Sequence, residues 1–200
     1  MKKFLLYIFF VFTIFLTILV VSCVYIFLKY RSWEKEFESN INTEYLIDAK
    51  SIEEVDLDER IVKFTLSLLD TESLSLEVKE IGSILFTTVD SYLGEEISLK
   101  KIYVEPSDKV WNIYFKVGYQ DLELWFSFDI NKDDIQSAQL YTKYVYIGPF
   151  EIGRYTDLVS MINKGIGESI VTLNENGFVG RYIENIELLE GGIVLKGSRY

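Results

Sequence analysis

Residues 4–28 form 25 consecutive positions without a charge, and this run limits the fold more than any other feature of the chain. As an α-helix it spans roughly 37 Å at about 1.5 Å per residue, more than a hydrocarbon core of about 30 Å. Tilt absorbs the excess. Thr13, Thr17 and Ser22 are its clearly polar members, and helical hydroxyls can bond to the preceding turn. Tyr25, Tyr30 and Trp33 gather toward one end, where amphipathic rings favour the membrane–water interface. The expectation is a transmembrane signal anchor over residues 1–31, meeting the membrane through residues 4–28.

The tetrapeptide Val20-Val21-Ser22-Cys23 complicates this reading. It has the form of a lipobox, in which a peptidase cuts before the cysteine and the cysteine carries lipid. A cleavable signal has a shorter apolar region and a polar stretch after the cut, whereas here "VYIFLKY" continues the apolar run. The length favours a retained helix, and lipidation at Cys23 stands as the alternative. Basic groups on the two sides nearly balance, with Lys2 and Lys3 before the run and Lys29, Arg31 and Lys35 after it. The short basic N-terminus resembles a signal anchor. It places the large domain outside a bacterial cytoplasmic membrane, with a cytoplasmic domain as the competing orientation.

Residues 32–200 hold 16 basic and 31 acidic groups, a net charge of −15. Such a domain is unsuited to nucleic acid, which is bound by neutralising phosphates. An anionic lipid surface repels it unless a tether holds it there. The single cysteine excludes an intrachain disulfide and a thiolate metal cluster, and the chain has no histidine. Neither a Ser-His-Asp nor a Cys-His site can be built.

The remainder reads as a charged juxtamembrane helix and linker (32–60), then one α+β domain (61–200). In "IVKFTLSLLD", Val62, Phe64, Leu66 and Leu68 alternate with polar residues and predict a strand. Asp70, Thr71 and Ser73 offer helix starts, and Leu74, Val78, Ile81, Leu85, Val89 and Leu93 follow at helical steps up to Gly94. Four strand-like runs, "KKIYVEP", "KVWNIYFKVGY", "DLELWFSFDI" and "SAQLYTKYVYI", predict an antiparallel meander with Trp111, Ile113, Phe115 and Val117 on one face. Tyr114, Trp125 and Tyr141 mark the other, so that sheet is either covered on both sides or bears an aromatic surface. Leu158, Ile162, Ile166 and Ile170 predict a second helix that Gly165 and Gly167 break or kink, and "RYIENIELLEGGIVLKG" a closing hairpin. The expected fold is one antiparallel curved sheet, meander plus hairpin, packed with two helices.

Little in these residues points to chemistry. "DINKDD" (129–134) begins like a calcium loop, but Asp134 and Leu140 stand where the loop needs glycine and glutamate. It reads as a solvated hairpin turn. "GIGES" (165–169) lacks the lysine of a phosphate loop. The pairs Asp56 and Asp58, or Glu95 and Glu96, have no established geometry. No catalytic residue, metal or cofactor is expected.

The order of elements, the turn-and-helix stretch "YVYIGPFEIGRYTDLVSMI" and the ending "IENIELLEGGIVLKG" resemble the YpmS-like family of single-pass proteins of Gram-positive bacteria. The ending also resembles that of YceB-like lipoproteins. Gly153-Arg154 replaces the proline of that family's helix start. The resemblance implies an envelope protein related to tubular lipid-binding modules, in which a curved sheet wraps a helix and leaves an apolar groove. It implies no catalytic residue.

Two functions compete. One is a scaffold or interaction subunit of a bacterial envelope assembly, recruiting a protein partner through an exposed edge strand or acidic face. The other is a lipid- or acyl-chain-binding module, with Leu85, Val89, Trp111, Phe115, Trp125 and Phe126 lining the groove. At about 0.8 kcal/mol per buried methylene, a single acyl chain suffices for useful affinity. A filled core with an exposed flat apolar patch favours the first, and a continuous apolar cavity open at one end favours the second.

Overall fold

The computed structural model describes residues 2–52, 55, 57–133, 135–177 and 180–199. Glu53, Glu54 and Asp56 of the acidic spacer, and Asp134 of "DINKDD", lie outside the described residues. The chain divides into two units, Met1–Asn40 and Ile41–Tyr200.

The first unit is one helix, α1 (Lys2–Asn40). It is long and apolar enough to cross a membrane. The apolar side chains named from Phe9 to Leu28 are exposed. Thr13 and Thr17 hydroxyls donate to the carbonyls of Phe9 and Thr13, at 2.9 and 2.8 Å, which satisfies them inside an apolar run. Beyond that run the helix becomes aromatic and charged. Trp33 stacks on Phe37 with centroids 4.8 Å apart, and Arg31 pairs with Glu34 at 2.9 Å. α1 passes unbroken through Cys23, which is exposed.

The second unit is α+β and contains two antiparallel sheets. The larger, sheet A, has the order β1 (Leu46–Asp48), β3 (Ile97–Ser107), β4 (Val110–Tyr119), β5 (Leu122–Asn131), β6 (Val145–Ile147), β7 (Phe150–Glu151). Sheet B has the order β2 (Thr71–Glu77), β9 (Gly192–Arg199), β8 (Arg181–Leu189). The closing hairpin therefore joins β2 in its own sheet instead of extending the meander. Gly192 permits that pairing, since a Cβ there would lie 2.1 Å from the Leu76 carbonyl oxygen of β2.

The register of sheet A follows its alternation. Trp111, Ile113, Phe115 and Val117 stand opposite Ile130, Phe128, Phe126 and Leu124. This inner face packs on α3 (Val78–Tyr92) in a core that contains Ile47, Val78, Ile81, Phe86, Ile102 and Trp111. α3 begins at Glu77, whose side chain accepts from the N3 backbone while Glu80 accepts from the Glu77 amide. The Asp70–Ser73 helix starts are overturned because those residues lead into β2. A second core joins Phe64, Leu74, Ile183 and Ile186 behind sheet B.

Four further expectations fail. Residues 58–66 form a helix, α2 (Asp58–Leu66), not a strand. Asp58 and Glu59 complement the positive end of its dipole. Only Phe64 is buried in it, and Val62 and Leu66 of the alternating set face water. Residues 46–48, read as linker, form β1 and place fully buried Ile47 in the core. Three residues are too short to display a period. The fourth meander run contributes only Val145–Ile147 and an isolated Asn131–Tyr141 bridge. Finally, α4 (Leu158–Thr172) runs through Gly165 and Gly167 without a break.

Candidate functional site

The stretch 135–144 explains why the fourth run is not a strand. Side chains take its backbone groups. Asp129 Oδ1 accepts from the amides of Lys143 and Tyr144 at 3.0 and 2.7 Å. Asn163 of α4 both accepts from and donates to Thr142, at 2.6 and 3.0 Å. Lys132 Nζ donates to the carbonyls of Ile135 and Ser137 at 2.9 and 2.6 Å. Burial pushes the Lys132 ammonium below its ordinary pKa. Asp129, Asn131 and Lys132 are buried and Asp133 is exposed, so the stretch is a packed polar joint as far as Lys132, not a solvated turn. Two clefts flank this stretch, meeting at Gln136 and Asn185. One of about 360 Å³ includes Thr71, Ser73, Glu184 and Lys196, and one of about 330 Å³ includes Lys109, Ile135 and Glu187.

The proposed groove residues separate onto two faces. Trp111 and Phe115 are buried on the inner face of sheet A, and Phe126 stands opposite Phe115. Leu85 and Val89 of α3 pack against the same core. Trp111 is fully buried, and its indole N–H donates to the Leu189 carbonyl at 3.1 Å, tying sheet A to β8. Trp125 belongs to the opposite face, fully buried, with the Lys116 ammonium 5.6 Å from its ring centroid. Tyr103, Tyr114 and Tyr146 share that face through the register. Burial and the Glu105 carboxylate push the Tyr114 hydroxyl up. Neither cleft above is lined by any of the six.

Sheet B treats its two edges differently. The Arg199 amide donates to the Asp70 carbonyl at 3.1 Å, which sets the hydrogen-bond parity. Glu72, Leu74 and Leu76 then exchange backbone bonds with β9, while Thr71, Ser73, Ser75 and Glu77 turn theirs outward. On the far edge, β8 is covered. Its Ile183 amide donates to Asn174 Oδ1 at 2.6 Å, its Ile186 amide to the Ser137 carbonyl at 3.1 Å, and its Leu188 carbonyl accepts from Lys109.

The β2 edge is guarded only by side chains. Arg60 donates to the Ser75 carbonyl at 3.1 Å and pairs with Glu80, Glu80 accepts from the Glu77 amide at 2.8 Å, and Glu72 accepts from the Ser73 amide at 3.1 Å. Among the described residues, nothing bonds the Thr71 backbone on this side, the Ser73 carbonyl or the Ser75 amide. Sequence reading missed this edge because it placed residues 70–73 at a helix start.

The guard is also a pH-dependent stabiliser. The hydrogen bond from Arg60 holds the Glu80 carboxyl below its ordinary value of 4.5. A carboxyl lowered on folding stabilises above its unfolded pKa, and that stability is lost as pH falls through the folded value. Urea midpoints of the full chain are therefore expected to fall as pH drops from neutral to about 3. Glu80→Gln should show a shallower loss over the same window. An equal loss in both would remove Glu80 from the acid response.

A second exposed feature adjoins β2. Leu66, Leu68 and Leu69 are 71%, 83% and 62% exposed, with Val62 beside them in sequence on α2. The backbone behind them is pinned. Fully buried Arg181 donates to the carbonyls of Ser67 at 2.8 Å, Leu69 at 2.5 Å, Asp70 at 3.4 Å and Gly197 at 3.1 Å. Its guanidinium lies 5.9 Å from the centroid of the Phe64 ring. Arg199 adds a bond to the Leu68 carbonyl at 3.3 Å.

The chain matches no known family model, no curated protein and no solved structure. The function is therefore argued from these surfaces.

Proposed function

We propose that the chain is a membrane-anchored, extracytoplasmic, non-enzymatic interaction subunit of a bacterial envelope assembly, in which an extended segment of a partner protein pairs with the β2 edge. The asymmetry of sheet B carries this reading. One edge is tied at three points to other elements, two of them through backbone bonds, whereas on the β2 edge the Thr71 backbone, the Ser73 carbonyl and the Ser75 amide bond nothing among the described residues. Long open edges are a liability that proteins normally cover, so an edge left open is suited to strand addition. α1 supplies the anchor. Retention of α1, outward orientation of the domain and membership of the YpmS-like family are parts of the same proposal.

The lipid-carrier reading has less support. Trp111, Phe115, Leu85 and Val89 pack into or against the inner-face core, Phe126 stands opposite Phe115, and Trp125 faces the other way. Native mass spectrometry of the full chain, released gently from its own membranes, tests the choice. The interaction reading predicts a protein-sized adduct that dissociates on denaturation. A chain carrying only a stoichiometric lipid-sized mass, lost on denaturation, would overturn it in favour of the carrier.

A further inference from the structure

The exposed leucines at the α2–β2 connector need an explanation separate from the β2 edge. Exposed leucines scattered singly are ordinary, but three within four residues are not. The connector is also ordered from within. A buried guanidinium takes the carbonyls of Ser67, Leu69 and Asp70, so the backbone's polar atoms face inward while the leucine side chains face water. Ordering such a loop before it binds lowers the entropy cost of binding.

We propose that this connector is a lipid-docking loop, with Leu66, Leu68 and Leu69 seated at the boundary between headgroups and acyl chains and Lys63 and Arg199 meeting anionic headgroups. Lys63 and Arg199 are exposed beside the leucines, with the acids Asp70 and Glu72 alongside, in a domain whose net charge is −15. Leucines flanked by basic residues are the composition of interfacial segments. The inference rests on the membrane-anchored reading. A span through α1 supplies a bilayer at high effective concentration, because unit two begins at the residue after α1 ends.

The test uses the full chain with Cys23→Ala, reconstituted one copy per nanodisc in phosphatidylcholine and phosphatidylglycerol. An environment-sensitive fluorophore is placed at Leu68→Cys, at Glu123→Cys as an exposed control, and at Leu16→Cys in α1. The expected result is blue-shifted emission at 68 that nitroxide lipids quench, with the control neither shifted nor quenched. Adding Lys63→Glu should reduce the quenching at 68. A probe at 68 that behaves like the one at 123 overturns the inference and leaves the anchor standing. A blue shift at 68 without lipid quenching also overturns it, because protein then covers the leucines. An unquenched probe at 16 defeats the anchor and the docking loop together.

Discussion

Replacing Trp111 with alanine is expected to destabilise the domain by about 3–5 kcal/mol, the range for deleting a large buried aromatic side chain. Three circumstances place this site toward the upper end. The indole is fully buried, it lies in the core that α3 and sheet A share, and its N–H crosses to the Leu189 carbonyl of β8. Alanine leaves a cavity and cuts a tie between the two sheets. Trp111→Phe separates the effects, because it keeps a ring while removing the donor. Leu189 is 41% exposed, so water can approach its carbonyl, and the expected cost is about 1–2 kcal/mol. Urea unfolding of the full chain in micelles, followed by far-ultraviolet circular dichroism, measures both. A Trp111→Ala change below about 1 kcal/mol would contradict the packing described.

Arg181 gives the second large effect. Its charge is held by four backbone carbonyls and the face of Phe64. Arg181→Leu is expected to cost about 1.5–3 kcal/mol, the range for losing hydrogen bonds made by a charged group. Part of that cost falls on the connector, whose carbonyls lose their shared donor. Limited proteolysis should then cut within residues 67–70 in the variant before wild type. Lysine is a poor substitute, since a single ammonium cannot reproduce the guanidinium fork. Arg181→Lys should recover only a fraction of the stability. A variant as resistant to cleavage as wild type would show that Arg181 does not hold the loop.

Period two in "KVWNIYFKVGY" and "DLELWFSFDI" was sufficient to place β4, β5 and their shared inner face, because each strand has ten residues and one side is fully packed. The same cue misled at "IVKFTLSLLD". There the alternation is an accident of a short helix that buries Phe64 and leaves Val62 and Leu66 in water. The strand β2 was hidden for a related reason. Asp70, Thr71 and Ser73 suit a helix start, but the capping pair is Glu77 with Glu80, which pushes the helix seven residues on. The irregular course of 135–144 depends on Asp129, Lys132 and Asn163 gripping backbone groups at a distance, and no local pattern announces such contacts. The candidate surfaces were illegible for the same cause. An open edge depends on which strands pair, and a pinned leucine loop depends on an arginine more than a hundred residues away. What the sequence did announce, apart from the core strands, was the apolar helix and the acidity of everything after it.

The most direct test of the open edge is site-specific photocrosslinking in the membranes where the full chain is made. A photoreactive residue at Ser73, exposed on β2, is compared with one at Glu123, exposed on β5. The account predicts a discrete protein adduct at position 73 and none at 123. The adduct should disappear in Ser75→Pro, which removes an outward amide that β9 does not use, while the melting curve stays close to wild type. No adduct at 73, or one that survives Ser75→Pro unchanged, would contradict strand addition at this edge.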